Sequence, residues 1–277
     1  MVRTHELVKE FPDPKTGVVR AVDNVSFTAA AMRRRIPARH QVVRAVDNVS
    51  FTAEPGKILG LLGANGAGKT TALRMLSTVI KPTSGSAEVA GFDVLKDPTS
   101  VRANIGFLST STALYGRLTA TEMIEYFGTL YGLSGARLKE RLNYVKEKLD
   151  IHEFADRLCD KLSTGQKQRV SIARTIIHDP SVLFFDEPTA GLDVVASQTV
   201  MEFIEEQRDR GKTIVFSTHI MSEVERLCDQ VCIIHNGAVV QSGTVESIRE
   251  VTGESRLEAA FLKLVGFQAS YHPETVR

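Results

Sequence analysis

Three short apolar runs stand out of a mixed chain: Ile58 to Leu62, Val182-Leu183-Phe184-Phe185 and Thr213-Ile214-Val215-Phe216-Ser217. Runs of four or five such residues predict buried strands. Thr70-Thr71-Ala72-Leu73-Arg74-Met75-Leu76 predicts a helix directly after the first of them. Thr119-Ala120-Thr121-Glu122 forms a capping box, in which the Thr and Glu side chains satisfy each other's backbone amides, and it opens a helix through Leu130. Leu138, Leu142, Val145 and Leu149 then recur at helical spacing with Lys, Arg and Glu between them. Near the end, apolar residues at 231–234 and 238–241 flank Asn236-Gly237, a strong hairpin signal. A final helix is predicted over about 255–265.

Composition narrows the class. A chain of 277 residues holds one large domain or two lobes. The net charge of +1, with basic residues scattered, argues against a dedicated nucleic-acid binder. No apolar run approaches the roughly 18–20 residues that span a bilayer, and no signal region opens the chain. Any membrane path is therefore expected in another chain. Cys159, Cys228 and Cys232 lack Cys-x-x-Cys spacing and are expected as reduced thiols of a cytosolic protein.

The chemistry sits between the predicted elements. Gly63-Ala64-Asn65-Gly66-Ala67-Gly68-Lys69-Thr70 fits G-x-x-x-x-G-K-[ST] at every fixed position, between a strand and a helix. Its glycines allow a nest of amides around the α- and β-phosphates. Lys69 is expected to reach the β- and γ-phosphates, and Thr70 to place its hydroxyl on Mg²⁺. Asp186, closing its strand, suits a carboxylate holding Mg²⁺ through water, and Glu187 suits a general base, a role worth about 10²–10⁴ in rate. His219 follows another strand, where ligands of open α/β sheets bind, and could hold the γ-phosphate and orient water. In Leu162-Ser163-Thr164-Gly165-Gln166, Ser163 can cap a helix and donate its hydroxyl to a phosphate. Gly165 permits close backbone approach to that phosphate. Such a segment suits an ATPase whose nucleotide is shared between two subunits.

In order and spacing these motifs resemble the ATP-binding subunits of ABC transporters over nearly the whole chain. Residues 63–70 look like Walker A, 162–166 like the signature and 182–187 like Walker B. Ala190-Gly191-Leu192-Asp193 looks like the D-loop and His219 like the switch histidine. The wording of 171–180, 216–221 and 257–264 is similar to the sodium-extrusion and drug-exporter type of separate ATPase subunit.

The resemblance implies an α/β fold: a RecA-like P-loop ATPase core over 1–100 and 162–240, with a small antiparallel β element near the N-terminus. An α-helical subdomain is inserted at 101–161, and a helical tail follows over 241–277. It implies ATP and Mg²⁺ as cofactors, with Lys69, Glu187 and His219 catalytic and Thr70 and Asp186 on the metal. Nucleotide contacts are implied at Gly63, Asn65, Gly66, Ala67, Gly68, Lys69, Thr70, Thr71, Ser163, Gly165, Gln166 and Asp193. The implied partners are an integral membrane permease and a second copy arranged head to tail, at the cytoplasmic face of the membrane. Rival readings are an ABC-type ATPase acting on ribosomes or DNA, and a regulator that holds ATP without turnover.

Two features depart from the family pattern. Thr110 stands where the family places a glutamine that meets Mg²⁺ and water. This is either a tolerated variation or a cause of weak coupling and slow hydrolysis. Thr164, in place of a second signature glycine, is milder. The segment at 18–29 recurs without a change at 42–53, and only the second copy runs directly into the phosphate loop. The first copy is either a duplication without function or, with Met32-Arg33-Arg34-Arg35, a basic contact for a membrane or partner. Phe11 is the candidate aromatic that stacks on adenine.

Overall fold

Period-two alternation and continuous apolar runs sort the strands into two different sheets. The computed structural model describes residues 1–12, 42–109 and 113–266. The chain begins with β1 (Val2–Pro12), β2 (Val42–Val49), β3 (Thr52–Ala53), β4 (Ile58–Leu62) and α1 (Lys69–Leu76). It continues through β5 (Ser84–Val89), β6 (Phe92–Asp93), α2 (Pro98–Asn104), β7 (Ile105–Leu108), α3 (Ala120–Leu130), α4 (Gly135–Lys148) and α5 (Thr164–Ile176). Then follow β8 (Val182–Asp186), α6 (Val194–Asp209), β9 (Thr213–Thr218) and α7 (Met221–Leu227). The last elements are β10 (Gln230–His235), β11 (Ala238–Gly243), α8 (Val245–Thr252) and α9 (Leu257–Leu264).

The larger sheet has the order β11-β10-β4-β9-β8-β7, parallel throughout except for antiparallel β11. The apolar runs predicted as buried strands are β4, β8 and β9, and every residue in each is buried. Burial on both faces explains why these strands read as unbroken apolar runs. In β8, Leu183 and Phe185 face the helices α3 to α6, while Val182 and Phe184 face the second sheet. Each fully buried Phe contributes about 1.5–3 kcal/mol. The second sheet is antiparallel, β2-β1-β5-β6 with β3 on β1, and α1 is packed between the two sheets through Leu73, Met75 and Leu76. A third apolar cluster seats α8 and α9 against β10 through Ile248, Leu257, Ala260 and Val231.

Two expected boundaries shift. β7 lies within 101–161 yet pairs with β8, so the helical layer begins beyond it. β11 extends to Gly243, opposite Val231, so the tail starts at α8. The capping box at Thr119 is present, with both reciprocal bonds, and α4 buries Leu138 and Val145. The second copy of the repeat supplies β2 and β3; its Val43 and Val46 lie opposite Phe11 and Lys9 of β1. The first copy, the run at 32–35 and Thr110 fall outside the described residues. Cys159 and Cys232 are buried and Cys228 half-buried; burial pushes all three thiols up, Cys232 to about 12. Among the described residues no helix is long and apolar enough to cross a membrane.

Candidate functional site

Register brings the motifs to one edge. Leu62 on β4 lies opposite Thr218 on β9, and Asp186 on β8 lies opposite Ser217. The phosphate loop, His219 and Glu187 therefore leave the sheet side by side, about one strand spacing of 4.8 Å apart. This is the carboxyl edge, where open α/β sheets bind ligands.

The loop is shaped by glycine. Gly66 and Gly68 have φ of 81° and 109°, in the left-handed region that side chains disfavour. A Cβ at Gly68 would stand 2.4 Å from the carbonyl oxygen of Ala45, and one at Gly63 2.4 Å from that of Ile234. The loop ends at α1, whose free amides and dipole favour an anion. Lys69 is buried; its Nζ donates to the carbonyls of Gly63 at 2.7 Å and Ala64 at 3.2 Å. Burial lowers its pKa, opposed by nearby Glu187 and Asp186.

Asp186 is 1% exposed. Its Oδ1 accepts from Ser217 Oγ at 2.7 Å and Thr70 Oγ1 at 3.0 Å, whereas buried Oδ2 has no hydrogen-bond partner among the described residues. Desolvation raises its pKa against the pull of those two hydroxyls. An orphaned buried acceptor costs roughly 1–3 kcal/mol. A carboxylate and a hydroxyl converging here form a hard oxygen donor set that fits Mg²⁺ carried on phosphates. Glu187 follows in a left-handed conformation, φ 48°, fixed by its amide's bond to the Ser217 carbonyl at 3.0 Å. Its Oε1 lies 3.2 Å from His219 Nδ1 and 3.5 Å from Lys69 Nζ.

Of the remaining candidates, Asn65 and Thr71 belong to the loop and its helix, and the others lie outside this cluster. Ser163 is exposed and caps α5: its Oγ accepts from the Gln166 amide, and the Gln166 side chain accepts from the Ser163 amide. A Cβ on Gly165 would meet Ala196 of α6 at 3.2 Å. Asp193 caps α6 by accepting from the Ala196 amide at 2.8 Å. Asn65 is exposed and Thr71 half-buried in the first turn of α1. Phe11, half-buried near the end of β1, lies under the Lys9 ammonium, 5.0 Å from the ring centre.

Sequence reasoning missed three supports. The Asn236-Gly237 turn, with φ of 50° and 82°, is wedged between the phosphate loop and β2. The Gly237 amide donates to the Ala67 carbonyl at 2.9 Å, and its carbonyl accepts from Asp47 at 2.8 Å. The hairpin was legible, but its neighbour was not. Ser217 on Asp186 had a fainter signal, a hydroxyl closing an apolar run. Gln168 of α5 donates to the Pro188 carbonyl at 2.6 Å, which ties the signature helix to the turn after Glu187.

Comparison with known proteins extends this geometry. Residues 46–190 match the ABC transporter family. The chain is 44% identical over 234 residues to the ABC transporter ATP-binding protein NatA of Bacillus subtilis (strain 168), over 84% of this chain and 95% of that protein. It is 33% identical over 215 residues to the probable multidrug ABC transporter ATP-binding protein YbhF of Escherichia coli (strain K12), over 76% of this chain but 37% of YbhF. The daunorubicin resistance ATP-binding protein DrrA2 of Streptomyces coeruleorubidus is 37% identical over 203 residues, 73% of this chain and 63% of DrrA2. Among solved structures, an ATP-binding subunit of an ABC transporter superposes with a TM-score of 0.77 at 26% identity, over 95% of this chain and 99% of that one. The dimeric ATP-binding cassette MJ0796 bound to ADP and Pi shares the fold, with a TM-score of 0.72 at 23% identity, over 88% of this chain and 99% of that one.

Proposed function

The chain belongs to the ABC transporter ATP-binding proteins and is an ATP hydrolase coupled to transport; from that premise we propose that it is the ATPase subunit of an exporter of sodium or a drug. It works as a head-to-tail homodimer on a separate membrane permease, at the cytoplasmic face. The roles of YbhF and DrrA2 in multidrug transport and daunorubicin resistance support the drug side of this reading. Sodium extrusion rests on the wording of the chain itself.

In this reading the amides of residues 63–71 and Lys69 Nζ hold the ATP phosphates. Thr70, and Asp186 through water, would hold Mg²⁺, which would supply charge neutralisation at the γ-phosphate. Glu187 accepts a proton from the attacking water, and His219, beside its Oε1, keeps that carboxylate aimed and leaves Nε2 for the γ-phosphate. Ser163, Gly165 and Gln166 of a second copy close over the same phosphate, with Asp193 at the seam. Closure is a population shift driven by ATP's preference for the closed pair. Phe11 stacks on adenine.

The observation that carries the assignment is the meeting of Lys69 and His219 at Glu187 Oε1, beside Asp186. Glu187→Gln is expected to bind ATP, to lose turnover by at least about 100-fold, and to accumulate as an ATP-bound dimer in size-exclusion chromatography. Wild-type turnover in that variant overturns the base assignment. ATP-driven uptake of sodium and of daunorubicin into inverted vesicles carrying the subunit and its permease decides the cargo; uptake of neither overturns both.

A further inference from the structure

Glu223 lies in the first turn of α7, four residues beyond His219, and is 6% exposed. Its two carboxylate oxygens are used separately. Oε1 accepts from Thr189 Oγ1 at 2.5 Å, and Oε2 accepts from Thr218 Oγ1 at 2.7 Å. Thr189 is two residues after Glu187, and Thr218 is the residue before His219. Thr218 Oγ1 in turn accepts from the Ile220 amide at 3.0 Å, on the other side of His219. One carboxylate thus ties together the two loops that carry Glu187 and His219.

Packing alone does not call for a carboxylate here. Val224 and Leu227 already bury the apolar face of α7. A buried carboxylate is costly unless its oxygens are hydrogen-bonded, and charge-assisted bonds from hydroxyls are short and directional. Both properties suit a rigid fork that fixes the spacing of two hydroxyls. We infer that Glu223 is a positioning residue for ATP hydrolysis, holding the loops of Glu187 and His219 in register through Thr189 and Thr218. The inference rests on the reading of Glu187 and His219 given above. Glu223 is not aimed at the phosphate loop, so its removal should misplace the base without loosening the nucleotide.

The test is steady-state ATP hydrolysis on the full chain, with fluorescent-ATP titrations and thermal melts of each variant. Glu223→Ala is expected to lower kcat about 10- to 100-fold, the scale of an ångström-sized misplacement, with KM and ATP affinity within about threefold of wild type. Glu223→Gln, which keeps one acceptor and offers a donor to a hydroxyl able to accept, is expected to restore kcat to within about threefold. Thr189→Val should lower kcat and add little to Glu223→Ala, since both break the same link. Unchanged kcat in Glu223→Ala, or a loss of ATP affinity parallel to the loss of kcat, overturns the inference. If Glu223→Ala does not fold, Thr189→Val decides: unchanged kcat overturns it, and lowered kcat at unchanged affinity supports it. Glu187→Gln, assayed alongside, separates two failures. Full turnover there overturns the base assignment and this inference together, whereas lost turnover there with full turnover in Glu223→Ala overturns this inference alone.

Discussion

At the carboxyl edge of the parallel sheet, buried Asp186 is bonded to Thr70 and Ser217, and buried Lys69 meets Glu187, all of them pairs far apart in sequence. Ser163 and Gln166, at the head of α5, bond to each other within one helical turn, and Ser163 stands exposed. The first group is preorganised by the whole fold, and a single substitution there disturbs several strands. The second needs only its own helix. Its outward face makes sense if a second chain completes the site, so damage there should appear in association rather than in folding.

The largest expected effect tests the buried half directly. Lys69→Ala removes the ammonium proposed to hold the phosphates and is predicted to weaken ATP binding by about 100-fold or more, close to the value of two charge-assisted hydrogen bonds. Equilibrium titration checks it, and near-wild-type affinity would remove Lys69 from the site. Next comes a pair that separates shape from contact. Gly68→Ala combines φ 109° with a backbone oxygen at 2.4 Å and is predicted to cost about 2–4 kcal/mol. Gly66→Ala, with φ 81° and nothing within 4 Å, should cost only about 1 kcal/mol. Equal costs in denaturant unfolding would mean that Ala45 does not brace the loop.

A third prediction concerns His178, just past the far end of α5. Burial lowers its pKa from 6.5 to about 4, and its Nε2 donates to the Ile105 carbonyl at 3.0 Å while buried Nδ1 has no partner among the described residues. The folded pKa is the depressed one, so the unfolded chain takes up the proton first. Stability from this group is present above pH 6.5 and lost as pH falls toward 4. The loss is about 3 kcal/mol at most. Urea unfolding across that window should show it, and His178→Gln should flatten it.

The fourth prediction returns to the exposed half. Ser163→Ala loses an N-cap worth about 1 kcal/mol and leaves ATP affinity at low protein concentration unchanged, while ATP-driven association and turnover fall. A matching loss of affinity in the isolated chain would mean that Ser163 acts within its own subunit. The smallest effect is expected from deleting residues 18–41. Pro12 and Val42 are paired across β1 and β2, so the deletion leaves a five-residue connection, 13–17, a common hairpin length. Loop closure changes slowly with length, and the predicted loss is no more than about 1 kcal/mol. Failure to fold would reveal a structural role for the first copy.

The sequence by itself determined what is chemically local. Phosphate binding requires glycine at particular backbone angles and a lysine at the mouth of a helix, so residues 63–70 are legible without a fold. The same holds for the capping boxes at Thr119 and Ser163, whose partners lie three residues away. Burial on both faces made β4, β8 and β9 readable as apolar runs. Only the tertiary structure decided what lies beside these pieces. Ala45 under Gly68, the Asn236-Gly237 turn against Ala67, and Glu223 against Thr189 join residues 23 to 170 positions apart. Such contacts depend on strand order and register, and a slip of one residue exchanges the faces of a strand. Local conformation is written in neighbouring residues, whereas the placement of one loop against another arises from the packing of the entire chain.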